Sequence, residues 1–178
     1  VGGRFKSVDI HYRLPSVEIE SLIGLVEALH SGEPNQRIDL SELSEELHLD
    51  LDEILPIIEC LQLVRFAQLR SGKVELTFAG KLFANASLLD QKHIFSRQLL
   101  DHLPIIKHIH ERLQANRDQP IHQSEFIALL TEKLSDAAAK DVLTTVIEWS
   151  RYAELFAYSV NSGHLSLDNP GEDEGSKE

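Results

Sequence analysis

LSELSEELHLDLDEILPIIECLQLVRFAQLRSGKVELT, running from Leu40 to Thr77, is the stretch that decides the fold. Leu40, Leu43 and Leu47 recur at helical spacing on a short helix opened by Ser41, with Ser44 and Glu45 turned outward. After the capping candidates Asp50 and Asp52, the apolar residues Ile54, Leu55, Ile58 and Leu61 predict another helix. Pro56 falls close enough to its start to be tolerated near the first turn. The period then changes to two: Phe66-Ala67-Gln68-Leu69, a turn at Ser71-Gly72, and Lys73-Val74-Glu75-Leu76-Thr77 read as a β-hairpin. Upstream, Val17, Leu22, Leu25, Val26 and Leu29 share a stripe between Pro15-Ser16 and Ser31-Gly32. Three short helices followed by a hairpin predict a winged helix-turn-helix unit.

The second half repeats the pattern. Leu99, Leu103, Ile106, Ile109 and Leu113 lie along one helical stripe, re-initiated at Pro104. Phe126, Leu129, Leu130 and Leu134 form a second helix, and Val142, Leu143, Val146, Ile147 and Trp149 a third. Leu155-Phe156-Ala157-Tyr158, the turn Asn161-Ser162-Gly163, and His164-Leu165-Ser166-Leu167 give another hairpin. Ile54, Leu55, Ile58 and Leu61 align with Val142, Leu143, Val146 and Trp149 at one constant offset. The expected fold is mainly α with small β-hairpins: two tandem winged helix-turn-helix units joined by bridging helices drawn from Phe78 to Leu100, punctuated by Gly80 and Asn85. The expected divisions are a linker at 1–15, unit 1 at 16–87, a bridging helix at 88–101, unit 2 at 102–168 and an acidic tail at 169–178. The linker lacks periodicity and is expected to trail from whatever precedes it. The tail combines Pro170, Gly171 and Gly175 with four acids and no apolar residue, a composition that predicts disorder.

Composition sets the outer bounds. Of 178 residues, 42% are apolar and 26% charged, which is globular and sufficient for a core without metal or disulfide staples. The net charge of -12 argues against a default nucleic-acid binder and against docking on an anionic membrane. Cys60 is the single cysteine, so no intramolecular disulfide can form and a reducing, cytosolic setting is expected. On a packed helix it reads as a buried structural thiol. No apolar run approaches a membrane span, and no signal peptide opens the sequence. The chain starts at Val1 and contains no methionine, which leads to the expectation of a piece cut from a longer protein.

The chemistry motifs are mostly missing. Gly72-Lys73 is followed by Val74 and Gly80-Lys81 by Leu82, so neither supplies the hydroxyl of a phosphate loop. There is no GxSxG elbow, HExxH pair or CxxC. Catalytic, cofactor-binding and metal-ligating residues are therefore expected to be absent. His93, His102, His108 and His110 crowd one region, but two helical positions apart point about 200° from each other, so His108 and His110 cannot chelate one ion. His102 and His110 share a side with about 12 Å of rise between them, and read as solvated histidines on an amphipathic helix.

A winged helix raises the prospect of DNA, and here the acids weigh against it. From Asp39 to Glu59 stand Asp39, Glu42, Glu45, Glu46, Asp50, Asp52, Glu53 and Glu59, with no lysine or arginine among them. Asp136, Asp141 and Glu148 decorate the equivalent region of the second unit, opposed by Lys140. Phosphate neutralisation supplies most non-specific duplex affinity, and the sign is wrong for it. Trp149-Ser150-Arg151-Tyr152-Ala153-Glu154-Leu155-Phe156-Ala157-Tyr158 is the densest aromatic stretch. Two readings fit it, packing of the third helix onto its hairpin and a partner surface, and they can coexist.

The runs TVIEWSRYAELFAYSVNSGHLSL (Thr145 to Leu167), FSRQLLDHLPI (Phe95 to Ile105) and SVEIESLIGLVEAL (Ser16 to Leu29) resemble the C-terminal AAA-associated domain. That domain follows the ATPase core in ATP-binding subunits of bacterial nitrate/sulfonate/taurine-type ABC importers, and the resemblance spans about Leu14 to Leu167. It implies a non-catalytic regulatory module, cytoplasmic and peripheral to the inner membrane through the transporter complex, with ATP and Mg held in the parent ATPase domain upstream. The partners implied are that ATPase domain, the membrane subunit or a second copy, with Arg97, Arg151, Tyr152, Phe156 and Tyr158 as candidate contact residues. Two alternatives stay open. One is a DNA-binding transcription regulator using Lys92, Arg97, Lys107, Arg112 and Arg117, offset by Asp90, Asp101, Glu111 and Asp118. The other is a small-molecule or metal sensor using the histidine-rich helix or the gap between the units.

Overall fold

Ile19, Leu22, Leu25, Val26 and Leu29 are all buried along one face of α1 (Ile19–His30), as their spacing requires. The computed structural model describes residues 5–33, 35–116 and 119–167. After α1 come β1 (Ile38–Asp39), α2 (Leu40–Leu47), α3 (Leu51–Leu63), β2 (Ala67–Arg70) and β3 (Lys73–Leu76). Two helices follow, α4 (Phe78–Asn85) and α5 (Leu88–His102). The order helix, strand, helix, helix, hairpin then recurs as α6 (Pro104–Ala115), β4 (Ile121–His122), α7 (Ser124–Leu130), α8 (Asp136–Tyr152), β5 (Ala157–Ser159) and β6 (His164–Ser166). The protein is thus mostly helical, with two small antiparallel sheets of three strands, ordered β1-β3-β2 and β4-β6-β5.

Local chemistry explains most boundaries. Ser71 and Gly72 both take positive φ (52° and 75°), the two-residue turn whose twist suits a hairpin. Leu103 sits in extended conformation between α5 and α6 because Pro104 disfavours a helical residue before it, so the single stripe becomes two helices. At α3 the Asp50 N–H donates to Glu53 Oε2 at 2.8 Å, half of a capping box. Ser87 and Ser135 cap α5 and α8, accepting from Asp90 N and Ala138 N.

Each sheet contains a strand that period reading missed. β1 pairs with β3 (Ile38↔Val74, Asp39↔Lys73), and β4 pairs with β6 (Ile121↔Leu165, His122↔His164). Two residues are too few to show alternation. In both repeats the residue after this strand donates its N–H to the hairpin-turn glycine, Leu40 to Gly72 O at 2.9 Å and Gln123 to Gly163 O at 2.8 Å.

Several expectations need correction. Leu55 is 41% exposed; Ile54, Ile57, Ile58 and Leu61 form the buried face of α3, while Leu51 and Leu55 lie one turn apart outside it. Pro56 is inside α3, in its second turn, and the Asp52 carbonyl it cannot serve belongs to an exposed residue. Residue Asp39, not Ser41, precedes the first turn of α2. Leu134 lies beyond α7, and β5 starts only at Ala157, leaving Leu155 and Phe156 in the preceding turn. Gly80 is no punctuation mark: it is buried inside α4, where an added Cβ would overlap the Phe66 carbonyl oxygen. The segment before α1 does not simply trail. Leu14 and Val17 are buried, Tyr12 hydrogen-bonds Glu59 on α3, and His11 Nε2 lies 3.0 Å from Leu129 O and 3.2 Å from Glu132 Oε2. It touches both repeats. The acidic tail at 169–178 lies outside the described residues.

Buried apolar side chains of both repeats join one cluster. Trp149 on α8 is fully buried and its Nε1–H donates to Val17 O at 2.8 Å, tying the second repeat to the entry of α1. Around it stand Phe95 (6.1 Å between centroids), which also meets Phe66 at 6.0 Å and Tyr152 at 5.6 Å. Gly80→Ala should destabilise by about 1–3 kcal/mol in chemical denaturation, because overpacking against backbone outweighs alanine's helix preference. Trp149→Ala should cost about 3–5 kcal/mol and show one cooperative loss rather than two transitions.

Candidate functional site

The C-terminal half of α8 carries small, apolar and aromatic residues on neighbouring faces, so only part of its surface enters the core. The remainder, with the start of α1, the Gln123-Ser124 corner and the β5–β6 hairpin, borders a groove of about 1530 Å³. Its apolar floor includes Ile127, Leu143, Ile147 and Phe156; Arg151, Tyr152, Tyr158 and Lys140 stand on its walls. Tyr158 Oη donates to Gln123 Oε1 at 3.2 Å, which fixes the ring against the α7 corner. Tyr152 leans edge-on against Phe95, and burial pushes its phenol above the usual range.

One end of the groove is set by the start of α1. Glu18 precedes that helix but makes no side-chain cap. The Ile19 N–H, at the start of α1, favours the charged form of Glu148 on α8. A carboxylate there faces the positive end of the helix dipole. Desolvation nevertheless dominates and raises the Glu148 pKa, with Glu20 and Glu18 adding like-charge repulsion. Glu154, at the opposite end, pairs with Lys92 of α5 at 3.2 Å.

Of the five candidate contact residues, four line this groove: Arg151, Tyr152, Phe156 and Tyr158. Phe156 is only 4% exposed, so it forms floor rather than a free contact. Arg97 is not among the lining residues; it is exposed on α5. Within the aromatic stretch Trp149 and Phe156 point inward, Tyr158 is half-buried against the core and Arg151 is exposed. The basic stripe of the DNA alternative is largely neutralised: Lys92 meets Glu154, Lys107 lies 4.0 Å from Glu111, and Arg112 lies 3.0 Å from Glu125. Arg117 and Asp118 lie outside the described residues. Helix α3 carries no lysine or arginine at all.

Among the described residues no group of three or more His, Cys, Asp or Glu could hold a metal. His108 packs edge-on against Phe126 at 6.2 Å. Burial raises the Cys60 thiol pKa, and Glu59 raises it further, so the thiol is inert at neutral pH. No helix of the described residues is long and apolar enough to cross a membrane. The sequence pattern pointed to none of Gln123, Ser124 and His122, and gave Glu148 only as an acid on the surface of its helix. His122 belongs to a two-residue strand that shows no alternation, Gln123 and Ser124 follow it, and Glu148 acquires its role only when α1 arrives against α8.

The raised Glu148 pKa has a sign. A carboxyl that binds its proton more tightly when folded contributes less to stability as pH rises from the ordinary glutamate range through its folded value. Glu148→Gln keeps an oxygen beside the Ile19 N–H and removes the half-buried charge. The variant should be more stable than the parent at pH 7, and the difference should vanish below the ordinary glutamate range, as followed by thermal melts across pH.

The family model of the C-terminal AAA-associated domain matches residues 41–159. Neither a curated protein nor a solved structure matches the chain. The matched residues run from the start of α2 to the end of β5, and so contain α3, both bridging helices and most of the groove. The chain belongs to the C-terminal AAA-associated domain family.

Proposed function

We propose that this chain is a non-catalytic accessory domain of the ATP-binding subunit of a bacterial ABC importer of the nitrate/sulfonate/taurine type. The observation that carries the reading is the family match over 41–159. On this reading the two repeats are winged helix-turn-helix units turned to protein recognition, and the domain is cytoplasmic, held at the membrane through the transporter. ATP and Mg belong to the parent ATPase domain; no residue of this chain is assigned to them.

The groove along α8 is the contact surface in this reading, engaging the ATPase domain, the membrane subunit or a second copy. Its make-up supports that choice: aromatic and aliphatic floor, Arg151 and two tyrosines at the rim, the residue types enriched where partners bind. The acids of α2 and α3, with the paired cations of α5 and α6, support polypeptide over duplex as the partner. A tethered domain meets its parent at high effective concentration, so a weak contact suffices. It regulates only through a difference in affinity between the open and closed ATPase.

The test is ATPase turnover and solute uptake of the full subunit with and without residues 16–167. Removal should change regulated turnover by about fivefold or more, the lower end of ordinary coupling energies. Arg151→Ala with Tyr158→Ala should reproduce part of that change while leaving the fold intact. Identical turnover and identical transport regulation with the domain deleted would refute the proposal.

A further inference from the structure

Large apolar side chains that stay exposed gather on two surfaces outside the groove. On α4, Phe78 (77% exposed) and Leu82 stand one turn apart. Leu88 (80% exposed) and Leu89 open α5 after only Ala86 and Ser87. Gln91 Nε2 donates to Phe83 O at 2.9 Å and holds the start of α5 against the end of α4, so these four side chains belong to one corner of the fold. A patch of that make-up reaches a few hundred Å2, the size that marks an interaction site on a soluble protein. The second surface is the outer side of α3, where Leu51 and Leu55 are exposed one turn apart.

Charges of opposite sign surround the two surfaces. From Leu76 to Leu100 the chain has one acid, Asp90, against Lys81, Lys92 and Arg97. Lys92 pairs with Glu154, whereas Lys81 and Arg97 have no carboxylate within ion-pair distance among the described residues. Leu89, His93 and Arg97 follow at four-residue spacing, so a free cation continues the apolar stripe along the exposed side of α5. On α3 the same spacing runs Leu51, Leu55, Glu59, with exposed Asp52 beside it and exposed Glu42, Glu45 and Glu46 on α2. Two copies of a chain at -12 repel each other unless their contact brings unlike signs together. Pairing α3 with α3 would crowd acids, and pairing the α4–α5 corner with itself would crowd Lys81 and Arg97. A head-to-tail arrangement sets apolar on apolar and cation on acid.

We propose that the α4–α5 corner is occupied by the outer side of α3 of a second copy, so that the chain self-associates through a head-to-tail contact. Phe78, Leu82, Leu88 and Leu89 bury against Leu51 and Leu55 of the second copy, inside a rim where Lys81 and Arg97 meet the acids of α2 and α3. Each copy carries both surfaces, so the contact repeats until a ring closes or the assembly runs on as an open chain. This contact does not depend on the transporter reading and would stand if that reading failed.

Sedimentation velocity of the full chain from micromolar to millimolar concentration tests it. The weight-average sedimentation coefficient should rise with concentration, and added salt should reduce the rise by screening the charged rim. Phe78→Ser/Leu89→Ser should weaken association at least about tenfold, and so should Leu51→Ser/Leu55→Ser. All four positions are exposed, and a thermal melt of each variant reports its fold. The decisive sample is the mixture. Two variants that no longer self-associate should form a one-to-one complex, because one keeps the α3 side and the other keeps the corner. A parent chain that stays monomeric throughout, a Leu51→Ser/Leu55→Ser variant that associates as the parent does, or a mixture that fails to pair would overturn the contact.

Discussion

Phe95 is the hinge of the whole arrangement. It lies 6.0 Å from Phe66, 6.4 Å from Phe83, 6.1 Å from Trp149 and 5.6 Å from Tyr152, all between ring centroids. Phe66 stacks on Phe83 at 4.7 Å. Those five rings come from the first repeat's hairpin entry, the two bridging helices and α8. Each such contact is worth about 0.5–1.5 kcal/mol beyond area burial, so the set binds the repeats more firmly than a linker would. Polar groups in the same region are answered: Gln91 Nε2 donates to Phe83 O and Gln98 Nε2 to Val64 O, both at 2.9 Å. Burying these amides without partners would oppose the packing.

The repeats share a frame and diverge at their surfaces. Arg65 and Glu154 both take positive φ just past the third helix, at 66° and 58°, and in each case the following N–H returns to the carbonyl five residues back. That closes each helix by the same left-handed turn, although neither residue is a glycine. Between those fixed points the first repeat places acids and the second places the aromatic groove wall. Ser150 marks a small imperfection: its Oγ is buried on α8 without a hydrogen-bond partner.

Charge and shape are distributed differently over the two repeats. The acidic face of α2 and α3 repels phosphate, and three cations on α5 and α6 are already paired. The groove combines exposed Arg151 and Lys140 with apolar floor, and the start of α1, at Ile19 and Glu20, frames its far end beside Glu148. A groove bordered by two distant parts of the chain exists only while α1 and α8 stay together, which the Trp149 to Val17 hydrogen bond helps ensure. The groove and the integrity of the core are therefore coupled.

Sequence by itself determined the helices, the two hairpins, their repetition and the family, because each rests on short-range patterns: 3.6-residue stripes, alternation, caps and turn residues such as Ser71-Gly72. It also placed Trp149 inward and brought Arg151, Tyr152 and Tyr158 forward as candidates. Tertiary structure decided the rest. Two-residue strands β1 and β4 carry no period and appear only when a hairpin edge offers hydrogen bonds. Leu55 and Gly80 took their places according to which neighbour approached, something no spacing encodes. The meeting of Glu148 with the start of α1 and the facing of His122 with His164 join residues 129 and 42 positions apart. Local sequence fixes what a segment can form; which surfaces then meet is settled by packing across the chain.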